Sequence, residues 1–239
     1  MGWRTIPLPG RGAIGVWGCD LSAIEPDESP SPLVRARAAR FVKPALARRY
    51  LASRTLLRRI LGRWCGQVPA DVAIELTGFG QPYLARHPDR FFSLSHSGEH
   101  ALVTCAFAPI GIDLEARAAL LDADAMAAHI LSEDELSCWR AAQGDARAAL
   151  LTWAWVAKEA YLKARGVGLA IEPAHVEAPP AHGGDIAVRG DEVRWTVRPL
   201  EVWPHYAAAL CTAGAVERVE LFELRGGEWT IRAPIEGHS

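Results

Sequence analysis

Pro109-Ile110-Gly111-Ile112-Asp113-Leu114-Glu115 lies near the middle of a 239-residue chain and reads as a short strand, Ile110 to Leu114, entered after a proline. Side chains alternate along a strand, so Ile112 and Leu114 enter a core while Asp113 and Glu115 project from one face. The two carboxylates then stand about 7 Å apart, and both can face one hard cation. A solvated strand edge presents the same Asp-x-Glu pattern, so the segment means little without a second group elsewhere in the chain.

That second group lies about forty residues on, in Trp153-Ala154-Trp155-Val156-Ala157-Lys158-Glu159-Ala160-Tyr161-Leu162-Lys163. The spacing predicts a long helix from about Ala146 to Arg165, stopping at Gly166 and Gly168. Trp155, Glu159 and Lys163 fall at i, i+4 and i+8 and share one stripe. On an exposed helix a Glu-to-Lys pair of this kind contributes only about 0.2–0.5 kcal/mol. This helix is otherwise apolar and aromatic, as a buried element is, and charges on a buried helix must line a cleft because an unpaired buried charge is costly. Together the two segments offer three carboxylates and two amines. Magnesium is commonly held by a few carboxylates with substrate phosphates, and a lysine beside it offsets charge on a transferring phosphoryl group. No thiolate or paired-histidine spacing favours zinc. The residues point to a magnesium-dependent enzyme acting on a phosphate or pyrophosphate.

Upstream, Val34 to Trp64 holds ten Arg or Lys and no Asp or Glu, although the whole chain carries a net charge of only −2. A field of this kind suits phosphates, an acidic protein surface or nucleic acid; a solvated helix face is the plainer reading. Helical spacing runs from about Leu33 to Arg63, split into two helices by Pro44 after a turn at Ser29 to Pro32. Turn signals at Gly78, Gly80 and Pro82 precede strands at Phe91–Leu94 and Ala101–Phe107. Downstream, Ser132 and Glu135 form a capping-box pattern, and alternation marks strands around Val193–Val197, Tyr206–Leu210, Val216–Phe222 and Trp229–Ile231. The fold class is α+β, with 1–109 as an N-terminal half and 110–239 as a C-terminal half.

Half the residues are apolar and 23% are charged, which excludes a disordered chain. Five single cysteines, none in a CxxC pair, read as reduced buried thiols. The start MGWRTIPLPG lacks a signal-peptide core and has Ile6 where a myristoylation signal needs Ser or Thr. No apolar run approaches the roughly 18 residues of a membrane span, so a soluble, cytoplasmic protein is expected. Gly10-Arg11-Gly12-Ala13-Ile14-Gly15 matches a dinucleotide fingerprint, but it follows Pro7 and Pro9 instead of a strand and opens no βαβ unit. Ser95-His96 is not a hydrolase dyad, because neighbouring strand residues point to opposite faces. His87, His100, His129, His175, His182, His205 and His238 show no metal spacing.

Gly111 to Glu115, followed by Trp155-x-x-Lys158-Glu159-Ala160-Tyr161-x-Lys163, resembles the signature of the surfactin-synthetase-activating class of 4′-phosphopantetheinyl transferases. Phe92-Ser93-Leu94-Ser95-His96-Ser97, the Gly80-Gln81-Pro82 turn and the Arg-rich helix around Arg48 to Arg59 fit the same family in the same order, over roughly residues 35 to 170. The resemblance implies a pseudo-twofold monomer of two similar α/β halves with the active site in the cleft between them. It implies transfer of the 4′-phosphopantetheine group from coenzyme A to a serine of an acyl or peptidyl carrier protein, with release of 3′,5′-ADP.

The resemblance places Mg²⁺ on Asp113, Glu115 and Glu159, with Lys158 and Lys163 on phosphate oxygens. It places Ser95 and His96 near the nucleotide, His96 at the 3′-phosphate, with Arg37, Arg40 and Arg49 on the nucleotide phosphates and Gln81 and Pro82 beside them. Gln81 stands where relatives often carry Lys, and loss of that charge is expected to loosen coenzyme A binding. Either Glu159 or a metal-bound water would take the serine proton. Rival readings are a metal-dependent phosphohydrolase using the same carboxylates and a catalytically silent carrier-binding module; binding of nucleic acid by the basic stretch would fall steeply with salt and is not expected.

Overall fold

The computed structural model describes residues 3–10, 12–28, 31–117, 123–167, 171–179, 184–186, 193–214, 218–232 and 235–236. Arg11, Ser29, Gly168, His182, Val216 and His238, which figure in the sequence reading, lie outside these. The first part of the chain forms β1 (Ile14–Asp20), α1 (Pro32–Ala38), α2 (Pro44–Cys65), β2 (Ile74–Leu76), β3 (Pro82–Leu84), β4 (Phe91–Ser97) and β5 (His100–Ala106). It continues with β6 (Ile110–Ala116), α3 (Ala123–Ile130), α4 (Glu133–Ala141) and α5 (Gly144–Arg165). The remainder is β7 (Gly184–Ile186), β8 (Trp195–Pro199), β9 (Tyr206–Ala213), β10 (Arg218–Arg225), β11 (Glu228–Ile231) and β12 (Ile235–Glu236).

Local chemistry sets these limits. Pro32 and Pro44 open α1 and α2 at the helix start, where a missing N–H costs nothing. Ser132 and Glu135 form both halves of the capping box on α4. Gly66 and Gly166 end α2 and α5 in the left-handed region, at φ 68° and 75°.

One sheet has the order β11-β10-β1-β5-β4, with β12 also on β10; β1 and β10 run parallel and the other pairs antiparallel. A second sheet has the order β6-β9-β8-β7, and β2–β3 form a separate hairpin. The order strand, 22-residue helix, antiparallel hairpin occurs twice, as β1–α2–β4–β5 and as β6–α5–β8–β9, with the last strand beside the first each time. Sheet membership departs from a single cut at 109, because β10 to β12 return to the sheet of β1.

Three cores stack through the molecule. Leu56, Ile60 and Leu61 of α2 pack on Trp17, Phe92 and Val103 of the first sheet. Val16, Leu102 and Leu221 from the first sheet's other face meet Ile112, Leu114 and Leu210 of the second. Val156, Ala160 and Tyr161 of α5 cover the second sheet at Val197, Ala209 and Cys211. The order is therefore α2, sheet, sheet, α5, and β6 lies between the shared inner core and α5.

The sequence reading passed over β1, although it is a central strand. Gly15 and Gly18 hide its pattern, and both mark close approach: a Cβ at Gly15 would come within 2.4 Å of the Trp17 ring, and one at Gly18 within 3.0 Å of Leu102 and Trp203. Gly111 is under a harder constraint, since a Cβ there would fall 1.9 Å from the Ala160 carbonyl oxygen and 2.5 Å from the Ala164 nitrogen. Strand β6 and helix α5 thus meet backbone to backbone. Gly111→Ala is expected to cost about 3 kcal/mol and to lower Tm by roughly 6–12 °C; an unchanged thermal melt would contradict this packing.

Candidate active site

Edge strand β4 of one sheet lies alongside edge strand β6 of the other, and serines join them. Ser93 Oγ accepts the Ile112 N–H at 3.1 Å and Ser97 Oγ accepts the Ala116 N–H at 3.1 Å. Between them, Ser95 Oγ donates to Asp113 Oδ1 at 2.7 Å, and Ser97 Oγ donates to Glu115 Oε1 at 2.5 Å. All three serines are buried, as is Asp113 at 4% exposure. The alternation Ser93-x-Ser95-x-Ser97 is a period-two polar face, a signal that could have added Ser93 and Ser97 to the site residues beforehand.

Helix α5 brings its charged stripe to the same place. Between Leu151 and Ala164 only Trp155, Glu159 and Lys163 are less than fully buried. Lys163 Nζ donates to Asp113 Oδ1 at 2.6 Å and lies 3.4 Å from both Ser95 Oγ and the Ile112 carbonyl. Glu159 forms no ion pair among the described residues. Burial, then the neighbouring Asp113 charge, raises its carboxyl pKa against the opposing pull of Lys163. Burial likewise raises Glu115, with Asp113 adding and the Ser97 and Ala116 hydrogen bonds opposing.

All three carboxylates are hard oxygen donors crowded by negative charge, which suits a divalent cation. As they stand, however, no three His, Cys, Asp or Glu side chains among the described residues close on one point. Lys163 fills one oxygen of Asp113, and Ser97 holds Glu115.

His96 faces away from Ser95, toward α2. It presents surface to solvent in a crowded setting; that crowding, then Arg54, Lys163 and Arg37, takes its imidazole pKa down to about 4. The ring is therefore neutral at physiological pH. Arg37 lies 5.7 Å from the Tyr50 ring centre and Arg54 lies 4.9 Å from it. Arg37 and Arg40 line an open groove of about 560 Å³ with Leu33, Ala36 and Phe41. Arg54 is one of the ten basic residues between Val34 and Trp64, with no sequence signal to single it out; its Nε is buried without a hydrogen-bond partner among the described residues.

Several expected ligands are engaged elsewhere. Lys158 is fully buried on another face of α5, donating to the Ile130 carbonyl at 2.7 Å and paired with Glu135. One position on a helix turns about 100°, so Lys158 does not share the face of Glu159, and its ammonium is engaged within the protein. Burial lowers its pKa, with Glu135 and Glu177 opposing. Glu135 also accepts the Ser132 and Ala178 N–H groups, so the pair ties α4 and the 171–179 segment to α5. Arg49 pairs with Glu99 in the β4–β5 turn. Gln81 spends its side-chain amide on the Lys163 carbonyl at 2.8 Å, and Pro82 pairs with Leu76 in the β2–β3 hairpin.

Residues 109–211, which hold β6 and α5, match the 4'-phosphopantetheinyl transferase superfamily. The 4'-phosphopantetheinyl transferase HetI of Nostoc is 35% identical over 164 residues, covering 61% of this chain and 68% of that one. The transferase psf-1 of Bacillus pumilus is 30% identical over 191 residues, 78% of this chain and 81% of the relative. The transferase Sfp of Bacillus subtilis is 28% identical over 187 residues, 77% and 82% of the two chains. The chain belongs to the 4′-phosphopantetheinyl transferase superfamily. It is a 4′-phosphopantetheinyl transferase.

Because the folded-state pKa of Glu159 is raised, its ionisation opposes folding as pH rises, and the penalty is absent below its unfolded value of about 4.3. Glu159→Gln in metal-free buffer is expected to raise Tm at pH 7.5 by on the order of 2 °C, with the gain fading near pH 4. A loss of Tm at pH 7.5 would contradict the crowding of charge.

Proposed function

We propose that this enzyme moves 4′-phosphopantetheine from coenzyme A to a serine of an acyl or peptidyl carrier protein, releasing 3′,5′-ADP, with Mg²⁺. The observation that carries the reading is the Asp113–Lys163 pair at 2.6 Å, set between two sheet edges with Glu115 and Glu159 alongside. Three carboxylates against one ammonium leave negative charge that a divalent cation offsets. Asp113, Glu115 and Glu159 would hold that cation. When bound, it supplies charge neutralisation on the pyrophosphate oxygens.

The carrier serine oxygen forms a bond to the phosphorus next to pantetheine, and the bond from that phosphorus to the oxygen of the departing 3′,5′-ADP breaks. Lys163, now on Asp113, is the cation available to donate to the pyrophosphate and to follow the charge as it develops. Glu159 would take the serine proton through the carboxylate oxygen not used on the cation. Neutral His96, with Arg37, Arg40 and Arg54 near the open groove, receives the nucleotide end, the imidazole as a hydrogen-bond donor. The repeated order of elements supports a pseudo-twofold relation between the halves 1–109 and 110–239, with the site in the cleft between them and β10 to β12 added to the first half's sheet. The described residues contain no helix long and apolar enough to cross a membrane.

Intact-mass analysis of an apo carrier incubated with this chain, coenzyme A and Mg²⁺ is expected to show a gain of about 340 Da, one phosphopantetheine. Asp113→Ala and Glu159→Ala are expected to lose at least about 100-fold in rate. Release of free phosphopantetheine without a carrier adduct would make the enzyme a hydrolase.

A further inference from the structure

The turn joining β2 to β3 is fixed before its last side chain is placed. Thr77 N–H donates to the Gln81 carbonyl at 2.8 Å, Gln81 N–H donates to Thr77 Oγ1 at 3.1 Å, and Gly80, at φ 80°, closes the turn onto the Thr77 carbonyl at 2.9 Å. Both backbone groups of Gln81 are thus used, and its side chain leaves from a set position. Its Nε2 donates at 2.8 Å to the carbonyl of Lys163, 82 residues away in sequence.

The last carbonyls of a helix have no partner within it. In α5 the Leu162 carbonyl is taken by the Gly166 N–H at 3.1 Å, and the Lys163 carbonyl is taken by Gln81. A carbonyl can only accept, so the amide must turn its nitrogen to Lys163 and its oxygen outward. That oxygen lies over Gly166, where a Cβ would stand 2.1 Å from it and where φ is already 75°. Gly166 is therefore needed twice, for the left-handed cap and for the approach of Gln81.

Lys163 is held at both ends by these contacts: its carbonyl by Gln81, and its ammonium by Asp113 at 2.6 Å. We propose that Gln81 is a positioning residue that fixes the last turn of α5 and so sets where the Lys163 ammonium stands, instead of a ligand of coenzyme A. The assignment rests on the transferase reading of Lys163. A misplacement of about 1 Å at a reacting group lowers rate by up to about 100-fold, which gives the clamp a kinetic consequence.

The chain contains three lysines, which makes the test direct. Lys43 is exposed, the Lys158 side chain is 0% exposed and that of Lys163 is 31% exposed. The full chain, Gln81→Ala, Gly166→Ala and the double variant are compared in two measurements. One is kcat and KM for coenzyme A with an apo carrier; the other is acetylation by acetic anhydride, read per lysine by peptide mass spectrometry against Lys43.

In Gln81→Ala we expect kcat to fall about 10- to 100-fold with KM within about twofold, and Lys163 to acetylate several-fold faster while Lys158 stays protected. Gly166→Ala is expected to do the same, and the double variant to be no worse than the worse single one, because both break one contact. A raised KM with unchanged kcat would make Gln81 a coenzyme A ligand and overturn the proposal. Unchanged Lys163 labelling, or faster labelling of Lys158 together with Lys163, would overturn it too. A native chain without any transfer would instead refute the transferase reading, while the labelling would still decide whether Gln81 holds Lys163.

Discussion

The seam between β4 and β6 is the constraint on which the site depends. An edge strand carries a row of N–H groups that must find partners when covered. Direct pairing of β4 with β6 would merge the two sheets and leave no room at their junction. Serine hydroxyls take the Ile112 and Ala116 N–H groups instead, so the strands stand a side chain apart. The same row of serines touches both strand carboxylates, with Ser95 on Asp113 and Ser97 on Glu115. Satisfying the backbone and orienting the acids are one structural solution.

Charge balance then explains why the site is costly and useful at once. Asp113 is nearly fully buried and is compensated by Lys163. Removing one partner of such a pair costs about 3–5 kcal/mol, because a charge is left stranded. Glu115 and Glu159 lack comparable compensation, and burial with the nearby Asp113 raises both pKa values. The folded chain holds more negative charge here than its own cations offset, an excess that a divalent cation would relieve. Lys158, one residue from Glu159, shows the contrast: its charge is answered inside the protein by Glu135.

Much of this was legible in the sequence. Periodicity carried the information for β6 and α5, since alternation in Gly111–Glu115 and the stripe of Trp155, Glu159 and Lys163 at every fourth position both survive folding. The capping box at Ser132 and the helix breaks at Pro44 and Gly166 are local chemistry and read equally well. What failed to show depends on distant contacts. Strand β1 is masked by two glycines whose reason is the bulk of Trp17, Leu102 and Trp203. Helix period sets Lys163 and not Lys158 on the face of Glu159, but the partners of Lys158, the Ile130 carbonyl and Glu135, lie on distant helices and show only in the fold. Gln81 and Arg49 find partners 82 and 50 residues away, which no local pattern encodes.

The most direct test of the account is a crystal structure of the protein with coenzyme A and Mg²⁺ bound. The account predicts the cation on Asp113, Glu115 and Glu159, and the Lys163 ammonium moved from Asp113 onto a pyrophosphate oxygen. It also predicts that the serine bonds to Ile112 and Ala116 stay in place. A structure in which coenzyme A binds away from the β4–β6 seam, with the Asp113–Lys163 pair intact, would contradict it.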